Sequence, residues 1–491
     1  MFKLNKDNRT LLLYWSLPLV LFALQLVYTT NSTNQIRYEE LAESVRNVWW
    51  LQNGTIYDGV SSNVGWYGTL LLVYKFFGFS IFTAKYFRLV LSLISLICLA
   101  AVLKKYLGEK KAIIPLLAIG ISPTLLFFNT LQSSFGTDLQ YIPICIFLIL
   151  QNFQKNFSSL LRQALLGATI MVAWMSYPTF VFYIPVLGIL YLRQIKSLSM
   201  HRKTKNIVIT TISFVTPFVL VLLALKDRQL LFFDEKTKSG IFRGAGNFTF
   251  SINTFIENFG HTIADVTSKP NSYYYEVVQG DFSLIIPLLS LISILTLSIY
   301  LIAKSKNFRF VLALSWTVLL LNLMVANFTS DPSGQFGIRR ETASLAAIYS
   351  IFVIVWLWVL KHSFKNSQIK NLLIGILLLV PLHHVIVYPI NLGSLGNPSP
   401  YKYSHIFSQF GTPDKSLNPL VNIAKTQDLK LSCTDSSGKS AYCRYVEAYA
   451  AVAGYCSWNN IDCHQILGYD NKTEKFIPLT TKLWEDYYWE H

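Results

Sequence analysis

TAKYFRLVLSLISLICLAAVL, residues 83–103, is followed at once by Lys104-Lys105. As a helix, a run of that length reaches about 31 Å at 1.5 Å per residue, which matches the hydrocarbon core of a bilayer. The two lysines then sit where the lipid ends. The pattern recurs at 11–28, 112–129, 136–151, 160–176, 178–194, 206–225, 282–303, 309–326, 343–360 and 371–390. Over 491 residues the chain is 52% hydrophobic and 14% charged, with a mean hydropathy of +0.40. That is too apolar and too poor in charge for a soluble protein of this size. The expected fold class is an all-α polytopic membrane protein with about 11 transmembrane helices. The first run, 11–28, has no small-residue cleavage site behind it and reads as a retained helix.

The net charge of +16 invites a nucleic-acid reading, and its distribution removes it. The segments 1–10, 104–111, 152–162, 193–205, 304–309 and 361–370 together hold 20 Lys/Arg and two acids, Asp7 and Glu109. The rest of the chain is close to neutral. Basic connections on one side place that side, and the N-terminus, in the cytoplasm. Lys155 and the basic cluster 193–205 both belong there, so the short runs 160–176 and 178–194 form a pair bent at Pro178. A membrane domain, 1–390, then presents the loops 29–82, 227–281 and 327–342 outward, and 391–491 forms a small extracytoplasmic α+β domain. The linker into it carries Asn-Pro and Ser-Pro steps at 397–400.

Six cysteines divide by side. Cys98 and Cys145 lie inside apolar runs as small core residues. Cys433, Cys443, Cys456 and Cys463 lie in the tail, where two disulfides suit an oxidising compartment. Three connectivities are open, of which the local pairs 433–443 and 456–463 are preferred; zinc is the competing use of these residues.

The polar residues of the outward loops carry the candidate chemistry. In RYEELAESVRNVWWLQNG, residues 37–54, Leu41, Val45, Val48 and Trp49 share one helical face, with Glu39, Glu43, Arg46 and Asn47 opposite and Glu40 at the margin. This is an amphipathic interfacial helix that turns its acids toward the space under the loops. The plainer reading is acids favoured by a helix first turn. Asp138 opens an apolar run, as an N-cap or as a site carboxylate. Apart from it, no charge is expected deep in a helix. Arg339 and Arg340 lie outside against the charge bias, either paired with Glu341 and Asp331 or reading a phosphate. Asp58 in Tyr57-Asp58-Gly59 fits a turn, or a substrate contact. His383 and His384 fit a polar cap or a pocket wall. The loop 227–281 is long enough to lid a site.

An order of motifs adds to this. The acidic pair Glu39-Glu40 precedes Gly65-Trp66-Tyr67-Gly68, then Phe76-Phe77-Gly78, Arg88-Leu89, Ser122-Pro123 and Thr137-Asp138. Over roughly residues 1–200, and more weakly near 339, this order resembles the GT-C superfamily of membrane glycosyltransferases, in its protein O-mannosyltransferase and aminoarabinose-transferase branch. That branch usually has Asp-Glu where this chain has Glu39-Glu40, and Pro-Pro where it has the Gly65–Gly68 stretch. The resemblance implies transfer of a sugar from a polyprenyl-phosphate donor to a glycan, lipid or protein acceptor on the extracytoplasmic face of a bacterial plasma membrane. It implies Glu39 or Glu40 as general base and Asp138 as a second catalytic or orienting acid. Arg339, Arg340, Asp58 and Tyr67 become substrate contacts. A divalent metal, Mg or Mn, shared between Asp138 and a loop acid is an option, since some members use one and others do not.

Three other readings compete. A transporter is disfavoured by the lack of deep charges and of an internal repeat. A non-catalytic membrane scaffold would keep the fold and use its tail to bind a partner. A lipid-linked polysaccharide polymerase or ligase shares the donor and differs in the acceptor.

Overall fold

The computed structural model describes residues 6–31, 63–77, 81–130, 134, 136–150, 157–225, 252, 255, 285–324, 342–396, 467–470 and 475–478. The residues Glu39, Glu40, Glu43, Asp58, Arg339 and Arg340 lie outside this set, as do the four tail cysteines.

The described chain is mostly helical. Its helices are α1 (Lys6–Asn31), α2 (Val64–Phe77), α3 (Ile81–Leu107), α4 (Glu109–Gly120), α5 (Pro123–Thr130), α6 (Thr137–Leu150), α7 (Phe157–Ser176), α8 (Ile184–Ile195), α9 (Met200–Ala224), α10 (Ile285–Lys304), α11 (Arg309–Met324), α12 (Thr342–Lys361) and α13 (Ser367–Gly396). A 3-10 turn, Pro178–Tyr183, joins α7 to α8. Two strands, β1 (Leu467–Asp470) and β2 (Lys475–Pro478), pair antiparallel within the tail. Four helical stretches are long and apolar enough to cross a membrane: Thr83–Leu107, Met200–Ala224, Ala343–Lys361 and Ser367–Val385; several shorter apolar helices accompany them. The chain is a multi-pass membrane protein.

Three details differ from the run-by-run reading. The run 112–129 is two helices, α4 and α5, because Pro123 offers no N–H and disfavours helical backbone at Ser122 before it. The run 178–194 begins as a 3-10 turn, with Tyr177 extended (φ −151°, ψ 123°) just before Pro178. Residues 64–77, read as loop, form α2. Its Gly65 permits this by docking backbone to backbone on α7, where a Cβ would meet the Val172 carbonyl at 2.7 Å.

α3 is the hub. It packs against α1, α4 and α6; α6 packs on α7 and α8, and α7 on α2 and α9. On the other side α12 lies against α11 and α6, and α13 against α10 and α4. The shared core runs from Tyr14 and Leu21 through Leu96 and Ala100 to Phe352 and Val355. α9 is peripheral. Gly167 of α7 brings the two backbones together at the Thr210 carbonyl, and Ile212, Val219, Leu220 and Leu223 face outward. That is the surface a lipid-facing helix presents.

Candidate active site

The α6 N-terminus organises the site. The Ser134 carbonyl accepts from the Thr137 amide at 3.2 Å and from the Thr137 hydroxyl at 2.8 Å. Gly136 between them has φ +72°, and a Cβ there would lie 2.5 Å from the Phe128 ring. Only glycine suits both demands. This turn delivers Asp138 into the first turn of α6, with 0% exposure. Its Oδ1 accepts from the Leu139 amide at 3.0 Å. Its Oδ2 accepts from the Thr179 hydroxyl at 2.6 Å. The carboxylate therefore ties α6 to the 3-10 turn and benefits from the helix N-terminus.

The turn holds a third element. The Tyr183 hydroxyl, in the same 3-10 turn as Thr179, donates to the Ala343 carbonyl at 2.5 Å. The start of α12 is thereby fixed against the same wall. Arg339 and Arg340 precede that start by a few residues in sequence.

Two cations complete the arrangement. Lys85 is 3% exposed and Arg88 is 0% exposed, both in the first turns of α3. Both are buried charges near a helix start that the sequence reading does not single out. The Arg88 guanidinium lies over the Trp66 ring of α2, 5.6 Å from its centroid. Tyr141 is also buried, on α6. Tyr141 follows Asp138 by three residues and shares its face of α6. Trp66 and Arg88 thus meet where α2 packs on α3, and Asp138 opens α6, which packs on both α3 and the 3-10 turn. Tyr67, expected as a substrate contact, is buried on α2 beside Trp66. A signal for the cations was present in the sequence: Lys85 and Arg88 sit at the end of α3 opposite Lys104-Lys105, against the charge bias.

His384 lies elsewhere, buried, with Nδ1 2.8 Å from the Ala118 carbonyl. Among the described residues no group of three His, Cys, Asp or Glu side chains could hold a metal. The expected metal shared between Asp138 and a loop acid involves residues that lie outside the described set. Cys98 and Cys145 are free, buried thiols.

No family model matches this sequence, and no curated protein sequence does. Solved structures do resemble it. ArnT from Cupriavidus metallidurans in the apo state superposes with a TM-score of 0.50 at 10% identity, over 90% of this chain and 85% of that one. The same protein bound to undecaprenyl phosphate gives 0.48 at 12% identity, over 89% and 84%. The chain has the ArnT fold. ArnT is a GT-C glycosyltransferase, so the structural neighbours lie in the superfamily that the order of sequence motifs resembles. At this identity the likeness is one of fold, and chemistry must be argued from the site.

Proposed function

We propose that this protein transfers a sugar from a polyprenyl-phosphate carrier to an acceptor on the extracytoplasmic face of the membrane. The observation that carries this is the ArnT-like fold together with the buried pair Lys85 and Arg88 in the first turns of α3. Two cations at one helix end, one of them over a tryptophan ring, suit a phosphate carried on an apolar tail. Arg supplies a planar fork to two oxygens and Lys a point charge.

The reaction balances with these groups. The acceptor hydroxyl oxygen forms the new bond to the anomeric carbon, and its proton passes to a carboxylate. The bond from that carbon to the phosphate oxygen breaks, and its electron pair leaves with the phosphate. Lys85 and Arg88 stabilise that developing charge. Glu39 or Glu40 is the base in this reading. Asp138, held by Thr179, positions the 3-10 turn and the acceptor side of the site rather than taking the proton. Arg339 and Arg340, Asp58 and Tyr67 line the substrate path. The topology that serves this chemistry has eleven crossings with the N-terminus in the cytoplasm. The tail is an extracytoplasmic domain held by disulfides among Cys433, Cys443, Cys456 and Cys463. The membrane is a bacterial plasma membrane.

The test uses purified protein and a panel of radiolabelled polyprenyl-phosphate sugars. Turnover that collapses in Glu39→Gln or Glu40→Gln with lipid binding kept supports the reading and names the base. Absence of both turnover and undecaprenyl-phosphate binding refutes it in favour of a membrane scaffold. Acceptor identity distinguishes this transferase from a polysaccharide polymerase or ligase.

A further inference from the structure

Four polar side chains from four helices form one buried line of hydrogen bonds. Gln140 Nε2 of α6 donates to Asn129 Oδ1 of α5 at 2.6 Å. Asn129 Nδ2 donates to Ser92 Oγ of α3 at 2.9 Å. Ser92 Oγ donates to Gln25 Oε1 of α1 at 2.7 Å. Gln25 Nε2 closes the line on the Gly120 carbonyl at 3.5 Å. All four residues are buried. Every donor points the same way, so the bonds reinforce one another.

The carbonyl at its foot is available because the helix breaks there. Gly120 ends α4, and with the helix broken before Pro123 its carbonyl does not meet the Thr124 N–H that a continuing helix would supply. The other members occupy particular registers. Ser92 lies one turn beyond Arg88 on the same face of α3, and Gln140 lies within the first turn after Asp138 on α6. The line therefore joins α6 through α5 to α3, the two helices whose first turns carry the buried carboxylate and the buried cation. In hydrocarbon, rotating or sliding either helix would strand amide groups with no water to take them.

We propose that Gln140, Asn129, Ser92 and Gln25 are positioning residues that set the register of α3 against α6, and so the placement of Arg88 relative to Asp138 during transfer. This rests on the transferase reading above. The line touches neither cation, so phosphate binding is expected to survive its loss while the transfer step suffers.

The test compares Ser92→Ala and Asn129→Leu with the wild type in detergent or nanodiscs. Three quantities are measured: kcat for sugar transfer, Kd for undecaprenyl phosphate, and hydrogen–deuterium exchange of amides in residues 137–143. The expected result is a fall in kcat of at least tenfold, a Kd within twofold of wild type, and faster exchange at the start of α6. Ser92→Ala removes one oxygen only and serves if Asn129→Leu fails to fold. A kcat within twofold of wild type in Ser92→Ala overturns the proposal, and so does a parallel loss of kcat and lipid affinity. Exchange reads the register without any donor. If the wild type transfers no sugar, the transferase reading fails, while unchanged exchange at 137–143 in Ser92→Ala is what would sink the positioning role.

Discussion

Replacing Thr179 by Val tests whether the buried carboxylate holds the 3-10 turn to α6. The substitution keeps shape and removes one hydroxyl, which donates to Asp138 Oδ2 at 2.6 Å in a place where neither partner meets water. Neutral hydrogen bonds between membrane helices average about 0.6 kcal/mol. An ionised acceptor roughly doubles that, to about 1.2 kcal/mol, and charged hydrogen bonds reach about 3 kcal/mol. The coupling between Thr179 and Asp138 should therefore fall between about 1.2 and 3 kcal/mol, or roughly 8- to 150-fold in an equilibrium constant. A double-mutant cycle of Thr179→Val, Asp138→Asn and the combination isolates it. Unfolding by SDS titration in mixed micelles provides the four free energies. Each single change should destabilise, and the second should add little once the first is made. A coupling below about 0.5 kcal/mol, the usual scatter for independent sites, would refute the claim that this bond joins the two elements.

Gly136→Ala puts a methyl at φ +72° and 2.5 Å from the Phe128 ring, and should cost upward of 1 kcal/mol in the same titration. Gly167→Val places side-chain atoms against the Thr210 carbonyl; α9 should move away from α7, read as increased accessibility of a cysteine introduced at Ser213 to a thiol reagent. Arg88→Met keeps much of the side-chain length and removes the charge over Trp66. It should weaken undecaprenyl-phosphate binding about tenfold or more, with tryptophan fluorescence as the readout, and leave binding of the uncharged alcohol undecaprenol unchanged.

The membrane class was open to reading because hydropathy and lysine placement are properties of composition along the chain. Runs such as 83–103 need no partner to be recognised. What depended on partners was harder to see. Lys85 and Arg88 stand inside an apolar run and are absorbed by it, although their position at the end of α3 opposite Lys104-Lys105 is the available clue. Residues 64–77 fall within the expected loop 29–82, and Gly65 and Gly68 weaken a helix there on propensity; docking of α2 on α7 overrides that cost. Ser122-Pro123 was noticed as a motif and not as a break, since only the fold shows that other helices satisfy the freed carbonyls. Asp138 was legible as an acid at a helix start. That its partner is Thr179, 41 residues away, has no trace in the local pattern.

The broken run has a consequence for how the chain is made. α4 and α5, with 12 and 8 residues, span about 18 and 12 Å, each well short of the hydrocarbon thickness. Neither can settle as an independent transmembrane segment. The groups at their junction are satisfied from far apart in the chain. Gln25 of α1 reaches Gly120, Tyr349 of α12 reaches Ser122 at 2.6 Å, and His384 of α13 reaches Ala118. The first of these partners precedes the junction in order of synthesis, and the other two emerge more than 200 residues after it. Until α12 and α13 leave the ribosome, the Ala118 carbonyl and the Ser122 hydroxyl must be sheltered by water, by the insertion machinery or by a temporary neighbour. The junction of α4 and α5 is thus completed by α12 and α13, although its own sequence is translated well before theirs.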